Sequence, residues 1–307
     1  MTRSAPLPDI DSVWDFDHPD ASEAAFAALL PLARASGDPD YLAQLLTQVA
    51  RAEGLQMKFD HASKTLDEAE AMITAETPAA RVRLLLERGR VLNSSKRGEE
   101  SKPFFLEAWD LARETGAGGL AVDAAHMLGI VERGDASVAW NEKAIAYAEA
   151  SNDPKARRWL GSLYNNLGWT WHDAGDAERA LGLFQRALAA REAEGKPGLI
   201  RVGRWCVARA LRSLGRLDEA LAIQRRLLAE NEAHAPDGYV HEEIGEILLA
   251  RGDESGAGPH FAAAWKVLSE DPWLRRDEAD RLERMWRLGG LPGATSGAAD
   301  PPSSGAR

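Results

Sequence analysis

Small residues recur along this chain at fixed distances from large ones, and that recurrence admits only a narrow class of folds. In its clearest copy Leu167 and Gly168 are followed by Trp171, Gly175, Ala180, Phe184 and Ala187. Ile244 and Gly245 open a second copy, continued by Leu248, Gly252, Ala257, Phe261 and Ala264. A weaker third runs through Val207, Ala208, Leu211, Gly215, Ala220 and Leu227. Ala and Gly at recurring positions mark places where two helices cross closely, because a larger side chain would push the axes apart. Leu, Phe and Trp fill the space toward the next unit, so each unit buries its apolar face only against a neighbour.

This ladder of Leu-Gly, large aromatic, Gly, Ala, Phe and Ala resembles the tetratricopeptide repeat, a helix-turn-helix unit of about 34 residues. Upstream, Gly89, Leu92, Phe105 and Ala108 keep the family offsets, with Ser101 where the family usually has Ala. Leu128, Gly129 and Ala144 keep both ends of another unit. Its segment from Gly134 to Ala144 is shortened, which predicts a second helix slightly off register. Val49, Ala50, Ala62, Leu66 and Ala69 suggest a first unit without glycine. The units fall at residues 41–76, 80–116, 118–151, 156–195, 197–234 and 236–270, with a period of about 39 residues that predicts slightly longer helices than the family's. The resemblance implies an all-α chain, a right-handed α-solenoid of about six units spanning 41–270.

Composition agrees with helix. The chain is 45% hydrophobic with only 7% aromatics, is rich in Ala, Leu, Glu and Arg, and has no alternating run of strand character. Residues 21–36 predict an N-terminal capping helix and 275–288 a C-terminal one, as a solenoid requires at its ends. Residues 1–20 are expected to form a flexible acidic leader, and 289–307, made largely of Gly, Pro, Ser and Ala, a disordered tail. The single cysteine, Cys206, excludes an internal disulfide framework and multi-cysteine zinc sites. With no apolar run long enough for a signal peptide or a bilayer span, a cytoplasmic protein without a membrane partner is expected. A net charge of −11 argues against a general nucleic-acid binder, whose phosphate contacts need a basic surface.

The resemblance also implies that the first helix of each unit lines a concave groove. In the fifth unit, Arg201, Trp205, Arg209, Arg212 and Arg216 fall within an arc of roughly 80° when wound as a helix. Val202, Cys206, Val207, Ala210, Leu211 and Leu214 take the opposite side. No acid lies between Gly195 and Leu217. The arginines therefore either grip a ligand carboxylate or pair with acids on adjacent helices, such as Glu242 or Glu246. In the fourth unit Arg158, Ser162, Asn165, Trp169 and His172 line up by the same spacing, Asn165 being suited to a peptide backbone. Equivalent positions upstream are Gln44, Thr47, Gln48 and Arg51, then Arg83, Arg90 and Asn93, then Asp123, His126 and Arg133. Downstream they turn acidic, at Glu242 and Glu246, beside Tyr239. Trp169 and Trp205 are the aromatic candidates for ligand contact, whereas Trp109, Trp171 and Trp265 are assigned to the core.

Chemistry is sparse. His241 to Gly245 begins like a zinc-protease helix but has Gly245 where the second histidine must stand. Gly116 to Gly119 lacks the strand and the Lys-Ser or Lys-Thr of a phosphate loop, and Asp9, Asp11, Asp15 and Asp17 lack the EF-hand pattern. Cys206 lies on the packing face, and no nucleophile accompanies His126 and His172. No metal or cofactor is expected. The expected function is a non-enzymatic scaffold binding a protein or peptide segment, with an acidic or C-terminal carboxylate held by Arg209 and Arg212. The alternative is a self-association module forming a homo-oligomer, and an enzyme on a helical scaffold ranks below both.

Overall fold

The computed structural model describes residues 7–231 and 237–292, and no strand occurs among them. The expected tail lies outside the described residues from 293 onward. The chain divides into two compact units, residues 1–167 and 168–307. Unit 1 opens with a short 3-10 helix, Ile10–Val13, and α1 (Pro19–Ser36). Three helix pairs follow: α2 (Pro39–Leu55) with α3 (Phe59–Glu70), α4 (Pro78–Ser94) with α5 (Gly98–Glu114), and α6 (Gly118–Val131) with α7 (Gly134–Ala150). The single turn α8 (Pro154–Arg157) precedes α9 (Leu160–Asp173), within which the unit boundary falls. Unit 2 continues with α10 (Ala177–Glu194), then the pairs α11 (Pro197–Ser213) with α12 (Leu217–Asn231) and α13 (Gly238–Ala250) with α14 (Glu254–Leu268). It closes with α15 (Pro272–Asp277) and α16 (Ala279–Leu288), two helices where one was expected over 275–288.

Local sequence explains where these helices start. Asp38, Asp153 and Asp271 each precede a proline, and each carboxylate accepts a first-turn backbone N–H. That combination satisfies an orphan donor and presets the helical φ. First helices pack on their own partners and on the next first helix, as in α2 on α3 and α4, α4 on α5 and α6, and α11 on α12 and α13. That is the connectivity of stacked helix hairpins.

The recurring residues act at fixed offsets within each pair. A Cβ on Gly89 would lie 2.5 Å from the ring of Phe105, and one on Gly168 would lie 2.6 Å from Phe184; on Gly245 it would meet Phe261 at 3.1 Å. All three rings are fully buried. Seven residues after the small residue the backbone turns left-handed, at Gly175, Gly215 and Gly252, but also at Met57 and Lys96. A side chain there costs about 1 kcal/mol, so the first unit, with Met57 at the turn position, keeps the turn at a penalty rather than changing it. In the third pair the segment is shortened as expected: Asn141, not a phenylalanine, faces Gly129. It sits four residues closer in sequence than Phe105 does to Gly89, about one helical turn, so the packing face is kept. Ser137 donates to the Gly129 carbonyl and Asn141 to the Ser137 carbonyl, satisfying the polar substitutes.

Trp109 is buried, and Trp171 and Trp265 pack against the core of unit 2. Gln224 occupies the phenylalanine position of the fifth repeat, fully buried, with neither amide atom hydrogen-bonded. Cys206 is buried and its thiol is pushed up to about 11 by burial, which makes it unreactive.

Residues 7–18, within the expected leader, pack against α1 and α2. Ile10 is buried in a small core with Phe26, Ala33, Leu45 and Val49. Ser22 accepts the Asp15 N–H and donates back to the Asp15 carbonyl.

Gly168→Ala is expected to lower stability by about 1–3 kcal/mol through overpacking. Gly182→Ala, whose Cβ meets nothing within 4 Å on the exposed side of α10, should raise it by about 0.5–1 kcal/mol. Gln224→Leu should stabilise by about 1–3 kcal/mol by removing an unsatisfied amide. Urea midpoints of the three variants check all three signs.

Candidate ligand-binding face

In unit 2 the first helices present an aromatic file. The rings of Trp169 and Trp205 are 6.0 Å apart, and those of Trp205 and Tyr239 are 6.5 Å apart at 80°. The Trp205 indole donates to the Tyr239 carbonyl at 3.2 Å, fixing the ring between α11 and α13. Trp169 also touches Phe184 and His172, at 5.1 Å in each case. His172 Nε2 is 3.0 Å from the Ser213 hydroxyl, tying the end of α9 to α11. Beside Trp205 and Tyr239 opens a cleft of about 450 Å³ lined by Gly198, Arg201, Val202, Leu227, Asp237 and Val240. Val202 is 47% exposed and Tyr239 39%, so this is an apolar surface left in water. Val202 was assigned to the packing side, but it lies at the rim of this cleft.

The arginines of α11 are held by acids one repeat onward. Arg209 and Arg212 both bond Glu243, at 3.1 and 2.5 Å. Glu243 is only 1% exposed. Burial pushes its carboxyl above the usual range despite the opposing pull of Arg212. The partner acid is therefore Glu243 rather than the anticipated Glu242 or Glu246. Those two are held from the capping helix, Glu242 by Arg281 at 2.5 Å and Glu246 by Arg284. The acidic end expected of the groove is thereby neutralised, and Glu242 is nearly buried rather than offered to a ligand. Arg201 pairs with Asp237 at 3.3 Å at the edge of the cleft. Arg216 pairs with Glu219 in its own chain segment.

The two remaining site residues belong to unit 1. Arg158 lies in the turn between α8 and α9, its N–H bonded to the Pro154 carbonyl, so it does not share a helix face with Asn165 as the spacing implied. Asn165 is half-buried on α9. The inner positions of unit 1 form a buried relay. Glu87, 2% exposed, accepts from Arg51 at 3.2 Å and from Arg90 at 2.5 Å. Arg90 reaches on to Asp123 at 2.5 Å. Burial works against the Asp123 carboxylate, but Arg90 and Arg51 outweigh it and hold the group below its usual range. His126 lies against Trp159, and burial lowers its affinity for a proton.

His241, singled out for its motif, faces His260 with 3.1 Å between their Nδ1 atoms. Among the described residues no group of three metal-ligating side chains occurs, and no helix is long and apolar enough to cross a membrane.

A tetratricopeptide-repeat family model matches residues 160–194, the fourth repeat. Among curated proteins none matches the chain. The fold is similar to that of a signal-transduction ATPase with a tetratricopeptide-repeat sensor from Pyrococcus horikoshii, at 12% identity and a TM-score of 0.67. That similarity covers 87% of this chain but only 42% of the length of the other. It is also similar to BtubC from P. vanneervenii (18% identity, TM-score 0.54, covering 71% and 94% of the two chains). A third is NprR, solved in complex with its cognate peptide NprX (12% identity, TM-score 0.52, covering 91% and 83%). At these identities the likeness is one of fold.

Glu243→Gln is expected to cost about 3–5 kcal/mol, because it leaves two guanidinium groups facing a neutral amide. Glu219→Gln, on the exposed Arg216 pair, should leave the midpoint unchanged. Denaturant titration at neutral pH distinguishes the two.

Proposed function

We propose that this chain, whose residues 160–194 match a tetratricopeptide repeat, is a tetratricopeptide-repeat scaffold holding an extended protein segment against the first helices of unit 2, one apolar side chain of the ligand seated between Val202, Trp205 and Tyr239. The observation that carries this reading is the aromatic file Trp169–Trp205–Tyr239 beside an open apolar cleft. Rigid, partly exposed indoles next to a pocket are where binding energy concentrates at protein interfaces. Apolar surface of this kind, rimmed by the Arg201–Asp237 pair, is characteristic of an interaction site on a soluble domain.

The arginines play a different part from the carboxylate clamp suggested by their spacing. Arg209 and Arg212 share one carboxylate, so their local charge is one positive unit in excess. An acidic residue of the ligand complements that excess from a distance and orients the segment, while the cleft supplies affinity. A peptide is what NprR holds on a similar fold.

Peptides selected from a random displayed library on the full-length protein should lose about thirtyfold in affinity on Val202→Glu. The substitution is at an exposed position, and circular dichroism and melting should not change. Selected peptides that bind this variant as tightly as the unaltered chain would rule out the cleft as the site.

A further inference from the structure

The first-helix face of unit 1 carries a segment of the chain itself. The Tyr41 hydroxyl donates to the Pro8 carbonyl at 3.0 Å. The Asp11 carboxylate receives Arg83 of α4 at 2.6 Å and Lys155 of α8 at 2.8 Å. The Trp14 indole donates to the Gln48 side chain at 2.9 Å. Trp14 and Phe16 stack with centroids 4.6 Å apart and planes 2° apart, and the Arg51 guanidinium lies 5.6 and 5.4 Å from their centres. Gln48, Arg51 and Arg83 are positions that helical spacing assigns to the groove.

These contacts have the make-up of a recognition surface. One carboxylate is gripped by cations from two different helices, two rings lie by a guanidinium, and a carbonyl and an indole N–H each meet a polar side chain. The anchoring is also lopsided. Ile10 is buried, whereas Phe16 is 59% exposed, and Asp11 meets its cations near the surface. Burial works against the Asp11 carboxylate, but Arg83 and Lys155 outweigh it and keep the carboxyl below its usual range.

We propose that this face of unit 1 is a binding site for acidic peptides carrying an aspartate followed by two aromatic residues, as Asp11, Trp14 and Phe16 are spaced, and that residues 8–16 are its resident occupant, which leaves when a partner segment of the same chemistry enters. The tethered copy is present at the high local concentration of an intramolecular ligand, so a free peptide meets an apparent affinity reduced by the small fraction of open sites. Weakening the resident segment raises that fraction. The proposal stands on unit 1 alone and does not depend on the unit 2 cleft.

The test uses a fluorescent peptide with the sequence of residues 7–18, titrated into full-length protein by anisotropy. A chain carrying Asp11→Asn with Trp14→Ala is expected to bind it at least about tenfold more tightly than the unaltered chain. Adding Arg51→Met and Arg83→Met to that chain should abolish the gain, while adding Val202→Glu should not alter it. A folded Asp11→Asn, Trp14→Ala chain that binds no better than the unaltered one overturns the proposal, as does a gain that survives loss of both arginines. Hydrogen exchange on the unaltered chain tests it without any substitution. Amides of residues 9–17 should exchange at least about a hundredfold faster than those of α2, because the segment opens without unfolding. Protection equal to that of α2 would make the segment a permanent part of the core and end the idea.

Discussion

Each helix pair depends on how closely its two axes approach at one small residue. Where Gly89, Gly168 or Gly245 stands, a buried phenylalanine ring fills the volume a Cβ would have taken. This contact sets the distance between the two helices and hence which side chains are left to face the next pair. Its strictness shows in the third pair, where the partner stands four residues nearer in sequence to the small residue, Asn141 takes the place of the phenylalanine and the same face is kept. Close packing cannot absorb a partial turn, so the chain changes by a whole one.

Beside their apolar contacts, successive first helices are also linked by charge. Arg51 to Glu87, Arg90 to Asp123, Arg201 to Asp237 and Arg209 to Glu243 each join a cation to an acid 33–36 residues later, on the next first helix or, for Asp237, at its N-cap. Buried pairs of this kind add little net stability over well-packed apolar residues, but leaving one partner alone is costly. Their effect is to penalise any shift of one hairpin against the next.

The repeat was legible because its residues recur at constant offsets, and the six units, their turns and the shortened third pair follow from that spacing alone. The arginine stripe was legible too, but its partners were sought among Glu242 and Glu246, and Glu243 holds it. The missing signal was opposite charge one repeat apart, which would have joined Arg209 to Glu243 and Arg51 to Glu87. The break between α8 and α9 has no proline or glycine to announce it, so the continuous helix that the spacing implied from Arg158 to His172 starts instead at Leu160. The packing of residues 7–18 was illegible for another reason. Trp14 and Ile10 are isolated in an aspartate-rich stretch, and their partners on α1 and α2 lie at separations that no repeat of the pattern relates to them.

The two units use similar scaffolding to present chemically different faces. In unit 2 the aromatics belong to the first helices, and the two arginines beside them share the single carboxylate of Glu243, so the cleft next to them is left largely apolar. In unit 1 the aromatics come from the chain terminus, and the first helices contribute the cations and amides that receive them. In an array whose repeats share one packing rule, the positions that set helix spacing are therefore separate from those left on the surface. Substitution at the second class leaves the first untouched, and specificity can change from one hairpin to the next while the stack is kept.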